Sequence, residues 1–208
     1  MGKTVINLSI SLDGYIAGNG ESIDFPLGKN GAILHEWMLR GGTPLTDHID
    51  PLYHGFFNAT GSNAAVISDL FGEIGAMIFG RRTYDLVRGW GGTYPIQGVP
   101  VYVVSRRPEA FVPKGRSEIS FVRDIREAVE CARAEAGDKS VGIAGGKIGT
   151  ACLTAGLVDE IYLHIVPIIL GAGVPLFDTE QNESPVELEQ MSVREGPGVT
   201  HMRYKVHR

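Results

Sequence analysis

Three short stretches of the chain hold residues suited to binding phosphate, two of them built on glycine. In Phe79-Gly80-Arg81-Arg82-Thr83-Tyr84 a glycine precedes two arginines and a threonine. Glycine lets a ligand approach the backbone closely. A helix starting there offers N–H groups that no intrahelical carbonyl takes, and guanidinium groups add charge-assisted donors. In Val104-Ser105-Arg106-Arg107 a hydroxyl and two cations follow an apolar run, a set suited to a phosphate monoester. In Ala144-Gly145-Gly146-Lys147-Ile148-Gly149 paired glycines expose bare backbone. This last stretch is not a Walker loop, because Ile148 stands where Ser or Thr belongs and the earlier glycine is missing. No G-x-G-x-x-G follows a strand either. Taken singly, each stretch also reads as ordinary structure: a solvated helix start, a charged turn before Pro108, a tight strand-to-helix turn. Together they fit one elongated, phosphate-bearing ligand.

The elements around these stretches can be read from periodicity and punctuation. Val5 to Leu12 alternates apolar and polar residues as a strand does. Asp13-Gly14 and Gly18-Asn19-Gly20 break it. Ile33 to Leu39 is an apolar, helical piece, and residues 40–62 form a long irregular connection of the kind often found at a binding site or an interface. Ser62 or Asn63 is positioned to cap a helix to about Glu73, along which Val66, Ile67, Leu70, Phe71 and Ile74 recur at helical spacing. Ala76 to Phe79 is a buried strand, followed by a helix from about Arg82. Val99 to Val104 and Ile119 to Val122 are further strands. Asp124, with Glu127 three residues on, opens a helix that Gly137 ends. Val141 to Ala144 is a strand, Lys147 to about Ala155 a helix, and Ile161 to Leu170 a long strand interrupted by Pro167. Strands at about 186–194 and 199–206 flank Gly196-Pro197-Gly198. Alternation through the middle predicts an α/β fold: a central, mostly parallel sheet with helices on both faces and an antiparallel C-terminal hairpin. No internal repeat or linker divides residues 1–208, so a single domain is expected.

Composition excludes several function classes. Lys and Arg number 19 against 24 Asp and Glu, a formal charge of −5, and no basic stripe points to nucleic acid. No apolar stretch approaches the ~20 residues of a membrane span. Cys131 and Cys152 form no C-x-x-C or zinc cluster and read as small buried hydrophobes, which favours a reducing, cytoplasmic setting. His35-Glu36 has no second histidine at the zinc-protease spacing, and no H-x-E with P-C-x-x-C is present for zinc deamination. No metal is expected.

The order of several stretches resembles the dihydrofolate-reductase-like superfamily. It resembles especially the reductase domain of the riboflavin-biosynthesis deaminase–reductases and its stand-alone bacterial relatives. The stretches are Ser11-Leu12-Asp13-Gly14-Tyr15-Ile16-Ala17-Gly18, Gly80 to Tyr84, Val103 to Arg106, Gly145 to Ile148, and Val166 to Phe177. The resemblance implies a three-layer sandwich with NADPH laid across the sheet. Ile16 and Ala17 would border the nicotinamide. Gly80, Arg81, Arg82 and Thr83 would hold the pyrophosphate region, and Ser105 and Arg106 the adenosine phosphate. Gly145, Gly146, Lys147 and Ile148 would line the pyrophosphate and nicotinamide side. A homodimer is implied as well.

Such an enzyme transfers a hydride to a small pterin-like or pyrimidine-like heterocycle, and a proton must follow. The candidate acids are Asp13, which the resemblance puts beside the substrate, and Asp24, in an acidic-aromatic Asp24-Phe25 pair. Asp13-Gly14 also reads as turn chemistry, and Asp24 as a surface charge. Gly18 to His35 departs from the folate-reductase pattern. Residues 1–70 carry only Lys3, Lys29 and Arg40 as basic groups against seven acids, Asp13, Glu21, Asp24, Glu36, Asp47, Asp50 and Asp69. A neutral or weakly basic substrate is therefore expected rather than a phosphorylated one. His35, Trp37, His48, Tyr53 and His54 are weaker candidates for a pocket wall. His164 reads as a satisfied interior histidine, and Trp90 as a cofactor cover or a turn support. The rival readings are a non-catalytic nucleotide-binding protein and a reductase using a flavin or deazaflavin.

Overall fold

The structure is a computed structural model that describes residues 2–107, 112–178 and 185–207. Eight strands form one sheet: β1 (Thr4–Ser11), β3 (Ile74–Gly80), β4 (Val101–Val104), β5 (Ile119–Val122), β6 (Ser140–Ile143), β7 (Glu160–Val166), β9 (Leu188–Gly196) and β10 (Val199–Val206). Their order is β5-β4-β3-β6-β1-β7-β10-β9. The six from β5 to β7 run parallel. β10 lies antiparallel to β7, and β9 antiparallel to β10. Two short strands absent from the sequence reading, β2 (Tyr15–Gly18) and β8 (Gly173–Pro175), pair beside this sheet.

The helices are α1 (Glu36–Leu39), α2 (Gly61–Glu73), α3 (Arg81–Leu86), α4 (Ile125–Ala136) and α5 (Gly146–Thr154). α4 and α5 cover one face of the sheet, where Ala128, Val129 and Cys152 pack on Ile6, Ile78, Ile143 and Ile161. α2 covers the other, placing Val66 and Leu70 against Val5, Ile74 and Tyr162. The result is the three-layer α/β sandwich expected. Burying each of the large aliphatic side chains contributes about 1.5–3 kcal/mol.

The expected α4 start is observed: Asp124 accepts from the N–H groups of Arg126 at 2.8 Å and Glu127 at 3.3 Å. Gly137 takes φ 61° just past its end, where a side chain would be strained. Other expectations are corrected. α2 begins after Thr60, and neither Ser62 nor Asn63 caps it. Their side chains have tertiary partners instead, Ser62 the carbonyl of Glu195 and Asn63 those of Trp37 and Pro197. The segment expected as one helix is a 3-10 turn at Gly31–His35 followed by one turn of α1. β7 stops at Val166, because Pro167 has no N–H for the ladder. Cys152 is buried, but Cys131 is exposed, because Ala128, Val129, Ala132 and Ala136 form the inner face of α4. Among the described residues no helix is long and apolar enough to cross a membrane.

Candidate functional site

The chain order through the sheet creates a crevice between β3 and β6. β3 continues through α3 to β4 on one side, and β6 through α5 to β7 on the other. Connections that leave adjacent parallel strands in opposite directions open a crevice at the strands' carboxyl ends, where ligands of such sheets bind. Gly80 and Gly145 stand at those two ends, as the residues preceding α3 and α5, and neither helix has a side-chain cap. Both helix starts therefore face the same crevice, although the first N–H of α5, that of Gly146, is taken by the carbonyl of Leu176 at 2.9 Å.

Packing fixes the glycines differently. A methyl added at Gly145 would lie 2.3 Å from Leu8 Cδ1 and 3.0 Å from Ile16 Cδ1, so the two side chains close over its backbone. Gly146 holds φ 66°, which only glycine adopts freely. At Gly80 the nearest atom to an added methyl is Ile148 Cβ at 3.7 Å, leaving room beside the backbone. Ile16, Gly145, Gly146, Ile148 and Gly80 thus form one contiguous surface. Ala17, buried beneath it, packs its carbonyl against Gly173.

From Gly80 the surface continues to β4. Arg81 pairs with Asp85 at 2.7 Å, reaches Ser105 Oγ at 3.5 Å and lies over the Phe121 ring. Ser105 is buried, and its Oγ accepts from the Arg107 N–H at 3.1 Å, which folds the turn after β4. Arg106 is exposed on that turn, as is Lys147 on α5. Arg82 turns to Glu21, with Thr83 half-buried behind it.

The two aspartates lie apart from this chemistry. Asp13 accepts from the N–H groups of Leu170 at 3.1 Å and Gly171 at 2.7 Å, clasping the turn after β7. The Ser11 hydroxyl and those backbone donors outweigh desolvation and hold its carboxyl below the usual range, which favours an anion over an acid. Asp24 is exposed in a turn closed by Ser22 and Phe25. Neither lines the inner cavity.

That cavity, of about 200 Å³, lies between the sheet and α2. The 40–62 connection forms part of its wall through Phe57. Asp50 anchors the connection, accepting from Arg116 Nε at 2.8 Å. Along one edge run Asn7, Ser9, His35, Trp37 and His164. Trp37 donates to Ser9 Oγ at 2.9 Å. His164 Nε2 lies 2.7 Å from Asn7 Oδ1, His164 Nδ1 2.8 Å from His201 Nδ1, and His201 Nε2 3.1 Å from Asn63 Oδ1. Burial first, then the neighbouring histidines, pushes His164 down to about 3. Burial and Arg194 push His201 down to about 4. Burial likewise lowers His35 to about 4, and its Nδ1 has no partner among the described residues. Sequence reasoning placed His164 inside as a satisfied residue, which it is, but missed the chain from Asn7 to Asn63. Those residues are far apart in sequence and have no spacing signature.

Comparison with known proteins gives this geometry its relatives. The RibD C-terminal domain family matches residues 3–202. An uncharacterized protein of Bacillus subtilis, YwjB, is 25% identical over 188 residues, covering 90% of this chain and 89% of that protein. A protein of Shewanella sp. PV-4 named for riboflavin biosynthesis superposes with TM-score 0.68 at 23% identity, over 99% of both chains. Dihydrofolate reductase from Enterococcus faecalis, complexed with NADP(H), superposes with TM-score 0.57 at 11% identity, over 100% of this chain and 98% of that one. The last two likenesses show the fold, which is dihydrofolate-reductase-like, and the family supports a reductase-type function. The chain belongs to the RibD C-terminal domain family.

Proposed function

We propose that the chain is an NADPH-dependent oxidoreductase acting on a small pterin-like or pyrimidine-like heterocycle. The observation that carries the reading is the pair of uncapped glycine starts, Gly80 and Gly145, side by side at the sheet's crevice. Room beside Gly80 and the positive φ of Gly146 suit a diphosphate against bare backbone. In this reading Gly80 to Thr83 and Gly145 to Ile148 hold the pyrophosphate. Ile16 and Ala17 border the nicotinamide. Ser105 shapes the turn that presents Arg106 to the adenosine 2′-phosphate, the group that separates NADPH from NADH. Bound there, the nicotinamide would supply the hydride. The residues of the crevice orient it, and Leu8, Ile16 and Val174 keep water from its edge. The reading also includes the homodimer that the family resemblance implies, which sedimentation velocity would report. A fluorescence titration with both nicotinamide dinucleotides tests the cofactor assignment.

A further inference from the structure

The lining of the inner cavity holds no Lys, Arg, Asp or Glu among the described residues. Its polar edge is a hydrogen-bond chain whose donors and acceptors can be counted. Asn63 Nδ2 donates to the carbonyls of Trp37 at 3.3 Å and Pro197 at 3.2 Å, so its Oδ1 must face His201. His201 Nε2 therefore carries a hydrogen. In a neutral ring its Nδ1 is then an acceptor, and the hydrogen between the two rings belongs to His164 Nδ1. His164 Nε2 is left with a lone pair. Two acceptors cannot face one another at 2.7 Å, so the Asn7 amide is turned with its NH2 toward His164. Its carbonyl oxygen then has no partner among the described residues, and Asn7 lines the cavity. One added proton on the histidine pair would reverse the amide and present its NH2 instead.

The groups facing this pair are accounted for. His35 approaches from the 3-10 turn. Asp69 and Glu73 of α2, Arg194 of β9 and Arg203 of β10 line the outer cleft that also reaches His164 and His201. Arg194 is paired with Asp69 at 3.0 Å, and its charge disfavours protonation of His201. The neutral pair, with Asn7 offering an acceptor, is thus the form built into the fold.

The cavity adjoins the crevice. β6 lines it with Gly142 and Ile143, two residues before Gly145. β1 lines it with Asn7, Leu8 and Ser9, and Leu8 packs on Gly145. Its roughly 200 Å³ is below the ~300–1,000 Å³ of pockets for drug-sized ligands. Trp37, Phe57 and Tyr94 give flat apolar walls. A charged ligand would be desolvated there without a counter-charge. We propose that this cavity is the hydride-acceptor site and selects an uncharged, planar, one- or two-ring heterocycle without a sugar phosphate, one of whose N–H groups is donated to Asn7 Oδ1. The inference rests on the reductase reading above for the acceptor's role, but the binding it asserts can be measured alone.

Calorimetric titration of the intact protein with lumazine, 1,3-dimethyllumazine and uridine 5′-monophosphate tests it. Lumazine is uncharged and carries N–H groups, the dimethyl compound lacks them on the dione ring, and the nucleotide carries the sugar phosphate. Lumazine should bind, with affinity lower by about tenfold or more for dimethyllumazine and for lumazine with Asn7→Leu, the effect of one buried hydrogen bond. The nucleotide should bind more weakly still. Equal affinity for lumazine and its dimethyl derivative, preferred binding of the nucleotide, or no binding of lumazine would overturn the proposal. An NADPH titration on the same preparation separates the two readings. Lumazine binding that depends on Asn7, without NADPH binding, sinks the cofactor assignment alone, and the reverse sinks this inference alone.

Discussion

Arg82 Nε lies 2.9 Å from Glu21 Oε2, tying the first turn of α3 to the loop that follows β2. The arginine side chain is largely exposed while the glutamate is largely covered. The pair offsets part of the positive charge at the start of the proposed phosphate surface. Glu21→Gln should therefore tighten NADPH binding by a few-fold at low salt, with the gain fading at high salt as exposed charges are screened. Affinity measured against ionic strength reads this directly. Identical salt dependence in the variant would remove Arg82 from the cofactor surface.

Gly80 and Gly145 should respond differently to the same methyl group. Gly145→Ala drives Cβ into Leu8 and Ile16, so the protein should lose about 1–3 kcal/mol of stability and bind NADPH poorly. Gly80→Ala meets only Ile148 at contact distance, with φ −78° and ψ 156° open to any residue. Its stability should stay within about 0.5 kcal/mol of wild type. Binding should still fall, because the methyl stands where the diphosphate would pass. Denaturation midpoints and NADPH affinities for the two variants give the comparison, and a Gly80→Ala protein that binds normally would contradict the placement.

The buried histidines predict a pH dependence with a definite sign. Burial is the first cause of the lowered values for His35 (about 4), His164 (about 3) and His201 (about 4). The unfolded chain takes up protons near the ordinary value of about 6.5, where the fold resists them. Their stabilisation is therefore complete above about pH 6.5 and is lost as pH falls toward about 4, on the order of 1 kcal/mol per pH unit per group. The stabilisation from the buried carboxylate of Glu160, held low by its hydrogen-bond partners against desolvation, is lost only at lower pH. Urea unfolding at about pH 7.5 and about pH 5.5 should show the drop, and His164→Gln/His201→Gln should flatten it. Equal stability at the two values would mean that the fold takes up as many protons as the unfolded chain over that range, and that burial does not hold these histidines neutral.

Much of this fold was legible because local signals agree with it. The Asp124 cap and Gly137 stop bound α4, and the helix period of Val66, Ile67 and Leu70 gives α2 its buried face. The phosphate stretches could be read because each concentrates cations with glycine or a hydroxyl within a few residues. The failures have physical causes. Asn63 looks like a cap, but its amide is satisfied by Trp37 and Pro197 across the fold. β2 and β8 are too short for periodicity and pair through Gly18 and Gly173 in close backbone contact. The alternation of β1 suggests a strand with one wet face, yet Asn7 and Ser9 point into the cavity beneath α2. Polar residues inside a sheet look like surface residues until their partners on distant strands are known.

Arg106 carries the most specific claim about the cofactor. It is exposed on the turn that Ser105 folds, and the proposed function assigns it the 2′-phosphate. Its replacement by alanine should leave stability within about 0.5 kcal/mol of wild type.

The most direct test of the account is a fluorescence titration of the wild-type protein and Arg106→Ala with NADPH and with NADH. The account predicts micromolar NADPH binding, much weaker NADH binding, and a loss of roughly tenfold or more for NADPH alone in the variant, the effect of one charge-assisted contact. Binding of neither nucleotide, or tighter binding of a flavin at the same site, would contradict it.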